Sequence, residues 1–120
     1  MIRSIDVSAV LRQAVRATYA DLVTRATGRA VREHIEQAYV TEILPADVTR
    51  MDFTGVRCID YSCADEIVAK LVRERFRVLL LRGCSDAHLE ALCPVLEGHG
   101  LAALLERADG TLDGLGPRDT

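Results

Sequence analysis

The residues of this chain whose types and spacing could do chemistry are four cysteines, three histidines and one acidic, hydroxyl-bearing stretch. Cys63 lies near an expected helix start, where the helix macrodipole can lower a thiol pKa, and Cys58 and Cys84 can approach the same edge. A nucleophilic cysteine needs a nearby base, and His88 is the candidate. One functional reading is therefore a thiol-dependent enzyme or redox sensor built on Cys63. Against it, free cysteine is among the most buried residue types, which favours inert packing for all four. His99 reads more simply as part of a Gly98-His99-Gly100 helix stop. Cys58 and Cys63 are five apart, and Cys84 and Cys93 nine apart, so the close ligand pairs of a zinc site are missing and no metal is expected. The glycines form neither a phosphate loop nor a dinucleotide fingerprint, so no cofactor is expected. Ser62 and Asp65 have the spacing of a capping box, which makes Ser62 the expected cap of a helix.

Apolar periodicity shows which elements must position these residues. Asp6 is placed to cap a helix reaching Thr18, with Val7, Val10, Leu11, Ala14 and Val15 on one side. That stripe cannot bury itself, so the helix should dock on a sheet or on a second subunit. Tyr19 to Val23 reads as a short strand, and Thr24 to Gly28 as a turn into a helix over Thr27 to Tyr39, with Val31, Ile35 and Ala38 or Tyr39 inward. Pro45 biases Leu44 away from helix. A strand over Val48 to Phe53 precedes a helix over Asp60 to Arg75 with Ile67, Val68, Leu71 and Val72 buried. Val78 to Leu81 is unbroken and apolar, as expected of a strand covered on both faces. Gly83 ends it. Ser85 caps a helix carrying Leu89, Leu92 and Leu96, in which Pro94 should produce a kink, and Gly98 and Gly100 stop it. Leu101 to Leu105 is a further strand, and Ala108-Asp109-Gly110 a hairpin turn into an edge strand over Thr111 to Leu115.

Strands separated by helices imply an α/β fold: a four- or five-stranded, mainly parallel sheet with helices packed on it, plus an extra N-terminal helix. The expected division is a helical extension over 1–18, an α/β domain over 19–115 and a tail over 116–120. In such sheets the strand-to-helix loops gather at the carboxyl edge of the strands, where ligands and partners bind. The loops at Thr24 to Gly28, Cys58 to Cys63 and Arg82 to Ser85 should meet there.

Composition narrows the function classes. With 49% apolar and 28% charged residues over 120 positions, the chain has enough apolar content for one cored domain. Its longest strong apolar run, Val78 to Leu81, is far below the roughly 18 residues of a membrane span. Met1 to Ser8 lacks the apolar middle of a signal peptide, and cysteines at this density read as reduced thiols, so a cytoplasmic protein is expected. A net charge of −3 with 4% aromatic residues argues against nucleic acid as a partner. The region up to Arg32 is locally basic, and Arg25, Arg29 and Arg32 share one helical stripe. It reads as a solvated face partly balanced by Glu33 and Glu36; the functional alternative is a surface for an anionic partner.

Asp52-Phe53-Thr54-Gly55-Val56 followed by Asp60-Tyr61-Ser62-Cys63-Ala64 resembles the STAS domain, the fold of anti-sigma factor antagonists and of the cytoplasmic tails of sulfate transporters. That family carries a strand of the form Asp-Leu-Ser-x-Val and then an Asp-Ser-Ser-Gly-Leu turn opening a helix. Here Tyr61 stands for the first serine and Cys63 for the glycine. The likeness runs from about Ala46 to Leu105, and a strand, a helix and another strand follow in the family's order. It implies a non-enzymatic bacterial signalling module, with Ser62 at the position phosphorylated in the bacterial regulators and Asp60 at the acidic position of the turn. The implied partner is a Ser/Thr kinase-type anti-sigma factor or a related STAS protein, with a homodimer as a further option. Asp60, Tyr61, Ser62, Cys63 and Asp65, together with Gly83 and Ser85 of the neighbouring loop, are the residues expected to meet it.

Overall fold

The computed structural model describes residues 2–15, 21–37, 48–71 and 78–116. Five strands form one sheet: β1 (Ile2–Asp6), β3 (Val48–Asp52), β5 (Val78–Arg82), β6 (Ala103–Glu106) and β7 (Leu112–Leu115), in that spatial order. The first four are parallel, and β7 returns antiparallel beside β6. Two short strands, β2 (Asp21–Leu22) and β4 (Cys58–Ile59), pair separately. The helices are α1 (Val7–Val15), α2 (Arg25–Ile35), α3 (Tyr61–Ala64, running on as a π turn over Asp65–Ala69) and α4 (Asp86–His99). The α/β class and the mainly parallel five-stranded sheet are as the sequence leads one to expect.

Each parallel strand lies beside its predecessor, always stepping in the same direction. Right-handed crossovers then place every connecting helix on one face. Burial follows: Ile5, Thr49, Met51, Leu79, Leu81, Ala103 and Leu105 are buried, whereas their neighbours Ser4, Val48, Arg50, Asp52, Leu104 and Glu106 are not. The expectation that the β5 run is covered on both faces is met with helices on one face only: Leu79, Leu80 and Leu81 are all buried. Leu80, on the open face, is still only 7% exposed. Arg50 reaches across β5 to Glu106 with bonds of 2.7 and 3.2 Å, and to Ser4 at 3.1 Å, which screens it. The core between sheet and helices holds Phe53, Leu11, Ile35, Ile67, Leu71, Leu92 and Leu96.

The N-terminal region differs from its expected form. Asp6 does cap α1, accepting from Ala9 N at 3.2 Å, and Val7, Val10 and Leu11 dock on β1, β3 and α2. The preceding residues, however, form a full sheet strand in register with β3, so segment 1–18 contributes to the sheet and is no mere helical extension. Of the expected strand over Tyr19 to Val23, the described part holds the strand Asp21–Leu22. Helix α2 begins at Arg25, two residues earlier than the expected Thr27, because Thr24 takes a positive φ of 73° and caps it through Thr27 N. α4 continues through Pro94, and Gly100 ends it with a φ of 67°. The expectations on Met1, Arg16 to Ala20, Ala38 to Pro45, Val72 to Arg75 and the last four residues lie outside the described residues.

Candidate functional site

At the start of α3, one carboxylate holds two helices. Asp60 is extended, at φ −99° and ψ 171°, and its Oδ1 accepts from Cys63 N at 2.8 Å. Its Oδ2 accepts from Thr24 N, the cap residue of α2, at 3.0 Å. The expected capping role of Ser62 is therefore corrected: Asp60 is the cap, and Ser62 is the second residue of the helix. Ser62 is partly exposed, and its hydroxyl makes no hydrogen bond among the described residues. Tyr61 is 50% exposed and reaches along α4, with its hydroxyl 3.8 Å from where a side chain on Gly98 would begin.

Cys63 faces inward. It is fully buried and its thiol donates to the Thr24 carbonyl at 2.8 Å. Burial first, and then the charge of Asp60, push its pKa up to about 12. This corrects the expectation that the helix start lowers it: removing water costs the thiolate more than the short helix returns. Gly28 is needed opposite, since a Cβ there would come within 2.9 Å of the Cys63 Cα.

His88 is committed as well. Its Nδ1 accepts from Ser85 N at 3.0 Å, so the ring proton belongs on Nε2, which lies 2.9 Å from the Val56 carbonyl. Ser85 Oγ accepts from His88 N at 3.2 Å, which completes a capping box. The imidazole thus ties the turn after β3 to the start of α4, and both ring nitrogens are occupied. Gly83 supports the same junction. Its φ is +69°, and a Cβ would fall 2.2 Å from the Thr54 hydroxyl oxygen. Asp52 Oδ1 in turn accepts from Thr54 N at 2.9 Å. Beside this junction lies a cleft of about 380 Å³ lined by Thr54, Arg82, Cys84, Asp86, Leu89 and Arg107 among others. Burial, and then the charge of Asp52, push the Cys84 thiol up to about 12.

The seven residues expected to share one surface fall into two groups. Asp65 pairs with His99, the last residue of α4, and Tyr61 approaches Gly98. Gly83 and Ser85 sit at the opposite end of that 14-residue helix, about 20 Å away. The loops after β3 and β5 do meet, through Thr54, Gly83, Val56 and His88. The Asp60 loop instead meets Thr24. Asp60, Tyr61, Ser62, Cys63 and Asp65 stand together at the start of α3, and Gly83 and Ser85 stand together before α4.

The largest feature missed from the sequence is a charge cluster between α2 and α3. Glu66 is fully buried, and its carboxylate accepts from Arg25 at 2.9 Å, Arg32 at 3.2 Å and Lys70 at 2.9 Å, with Arg29 at 3.7 Å. Burial alone would raise the Glu66 pKa, but the bonds from Lys70, Arg25 and Arg32 outweigh it and hold the carboxyl down at about 2. Arg25 also binds Asp65 at 2.9 Å, and Arg32 pairs with Glu36. The arginine stripe is therefore more than a solvated face balanced by Glu33 and Glu36: Arg32 does pair with Glu36, and Arg25 and Arg29 stay 44% and 58% exposed, but all three converge on a buried acid. The signal was present as Arg25, Arg29 and Arg32 at helical spacing, with Glu66 and Lys70 four apart among apolar residues. Pairing the two elements required tertiary structure.

Among the described residues, no group of three or more His, Cys, Asp or Glu is placed to hold a metal ion, and no helix is long and apolar enough to cross a membrane. Compared with family models, curated proteins and solved structures, the chain matches none.

Proposed function

We propose that this protein is a non-enzymatic, STAS-like signalling module of the bacterial cytoplasm, which binds a Ser/Thr kinase-type anti-sigma factor or a related STAS protein at the start of α3 and is switched by phosphorylation of Ser62. The observation that carries this reading is the Ser62 hydroxyl, unbonded among the described residues, beside the half-exposed Tyr61 on a helix start fixed independently by Asp60. Because Asp60 and not Ser62 caps the helix, the serine is available for modification without unwinding it.

A phosphate there would add about −1.5 to −2 charges next to Asp60 and Asp65. A partner docked over Tyr61 and Ser62 then loses affinity through repulsion and desolvation, with no large change of shape. Gly83 and Ser85 lie too far along α4 to share a small contact, and so support the fold beside this surface.

The test is capture of partners from the native cell with wild type, Ser62→Ala and Ser62→Asp, followed by affinity measurement on the recovered protein. Wild type and Ser62→Ala should retain a kinase-like or sigma-regulatory partner, and Ser62→Asp should release it. Recovery of no such protein, or equal affinity for the two variants, overturns the reading.

A further inference from the structure

We propose that Arg25 is the internal receptor for a phosphate on Ser62, its guanidinium giving up Asp65 and Glu66 to bind the phosphoryl group; this rests on the reading of Ser62 as a modified residue. At about 100° of rotation per residue, Ser62 points between Asp65 and Glu66 and lies one turn before them. Those are the two carboxylates that the Arg25 guanidinium bridges, both at 2.9 Å. A phosphoryl group on Ser62 and the Arg25 guanidinium therefore lie on the same side of α3, within one turn of each other, and the long arginine side chain can swing to meet the phosphate.

The rest of the cluster permits the exchange. Glu66 keeps Arg32 and Lys70 when Arg25 turns away, so no buried charge is stranded. Asp65 keeps His99. Arg29 is 58% exposed and holds Glu66 only at 3.7 Å, which leaves it able to supply a second cation. A phosphate dianion with three acceptor oxygens suits a planar guanidinium better than either carboxylate it replaces. The charged and titratable groups around it are Asp60 at the cap of α3, Asp65, Glu66 and Lys70 beyond it, Arg25, Arg29 and Arg32 on α2, and His99 on α4. Three of them are acids, so a phosphate without an arginine would be held in a repulsive setting.

The covalent step is ordinary phosphoryl transfer. A Ser/Thr kinase supplies ATP, the Ser62 oxygen bonds to the γ-phosphorus, the bond to ADP breaks, and the hydroxyl proton passes to the kinase's base.

The experiment needs neither the kinase nor the partner. Phosphoserine is placed at position 62 during synthesis, and its second pKa is followed by phosphorus NMR in the folded protein and in urea. With Arg25 present the folded value should fall about one pH unit below the ordinary value of about 6, and Arg25→Gln should bring it back to 6 or above. Arg25→Lys should give an intermediate value, and it covers the case in which Arg25→Gln does not fold. A folded value at or above that in urea, or one that no Arg25 variant moves, overturns the proposal. Failure of the partner capture by the Ser62 variants would instead remove the switching role, whatever the phosphorus titration shows.

Discussion

Two helix starts in this protein have the same sequence form and different outcomes. Ser62 precedes Asp65, and Ser85 precedes His88, each by three residues. Only the second is a capping box. At α4 the cap is settled within one turn of chain: Ser85 and His88 satisfy each other's backbone, and His88 adds a bond to Val56. At α3 the choice is made between elements. Asp60 satisfies Cys63 and, in the same stroke, the amide of Thr24 on another helix, which Ser62 is not placed to do. A local motif decides a cap only where no more distant donor competes for it.

The comparison can be broken at the charge cluster, where the largest effect is expected. Glu66→Ala leaves Arg32 and Lys70 facing a void and should cost about 3 kcal/mol, read as a fall in the denaturant midpoint. The folded-state pKa of Glu66 lies at about 2, below its ordinary 4.5. The stability it contributes is therefore present above about pH 4.5 and is lost as pH falls toward 2. Wild type should lose stability across that window more steeply than Glu66→Gln. Next in size is Asp60→Ala, which removes a cap and a tie between helices and should cost about 2 kcal/mol. Ser85→Ala removes a cap alone, for about 1 kcal/mol.

Ser62→Ala sharpens the contrast by its smallness, with an expected change within about 0.5 kcal/mol. A loss equal to that of Ser85→Ala would return the cap to Ser62. The last measurement concerns the thiols at the two starts. Cys63 and Cys84 both have pKa values pushed up to about 12, so neither should react with iodoacetamide at neutral pH faster than a free thiol.

What the sequence shows, and what it hides, follows the same division. The stripes of α1, α2 and α4 are legible because Val10, Val31, Ile35, Leu92 and Leu96 repeat at helical spacing, and the Ala108-Asp109-Gly110 turn is local chemistry. β1 is hidden because Ile2 to Asp6 carries too few apolar residues to stand out, and its partner, Val48 to Asp52, is 46 positions away. The α3 site is legible as a segment, through Asp60, Tyr61 and Ser62. Its separation from Gly83 and Ser85 is not, because that depends on how α3 lies along α4. Glu66 is hidden for a further reason: a buried glutamate looks in sequence like any exposed one until its cations are known.

The order of strands in the sheet also bears on how the chain reaches its shape. β3 pairs with β1, β5 with β3, β6 with β5 and β7 with β6, so each new strand joins an edge that has already been made. Among the described residues, no strand of this sheet has to be inserted between two others. The sheet can therefore grow in the direction of synthesis, one crossover at a time, as the chain leaves the ribosome.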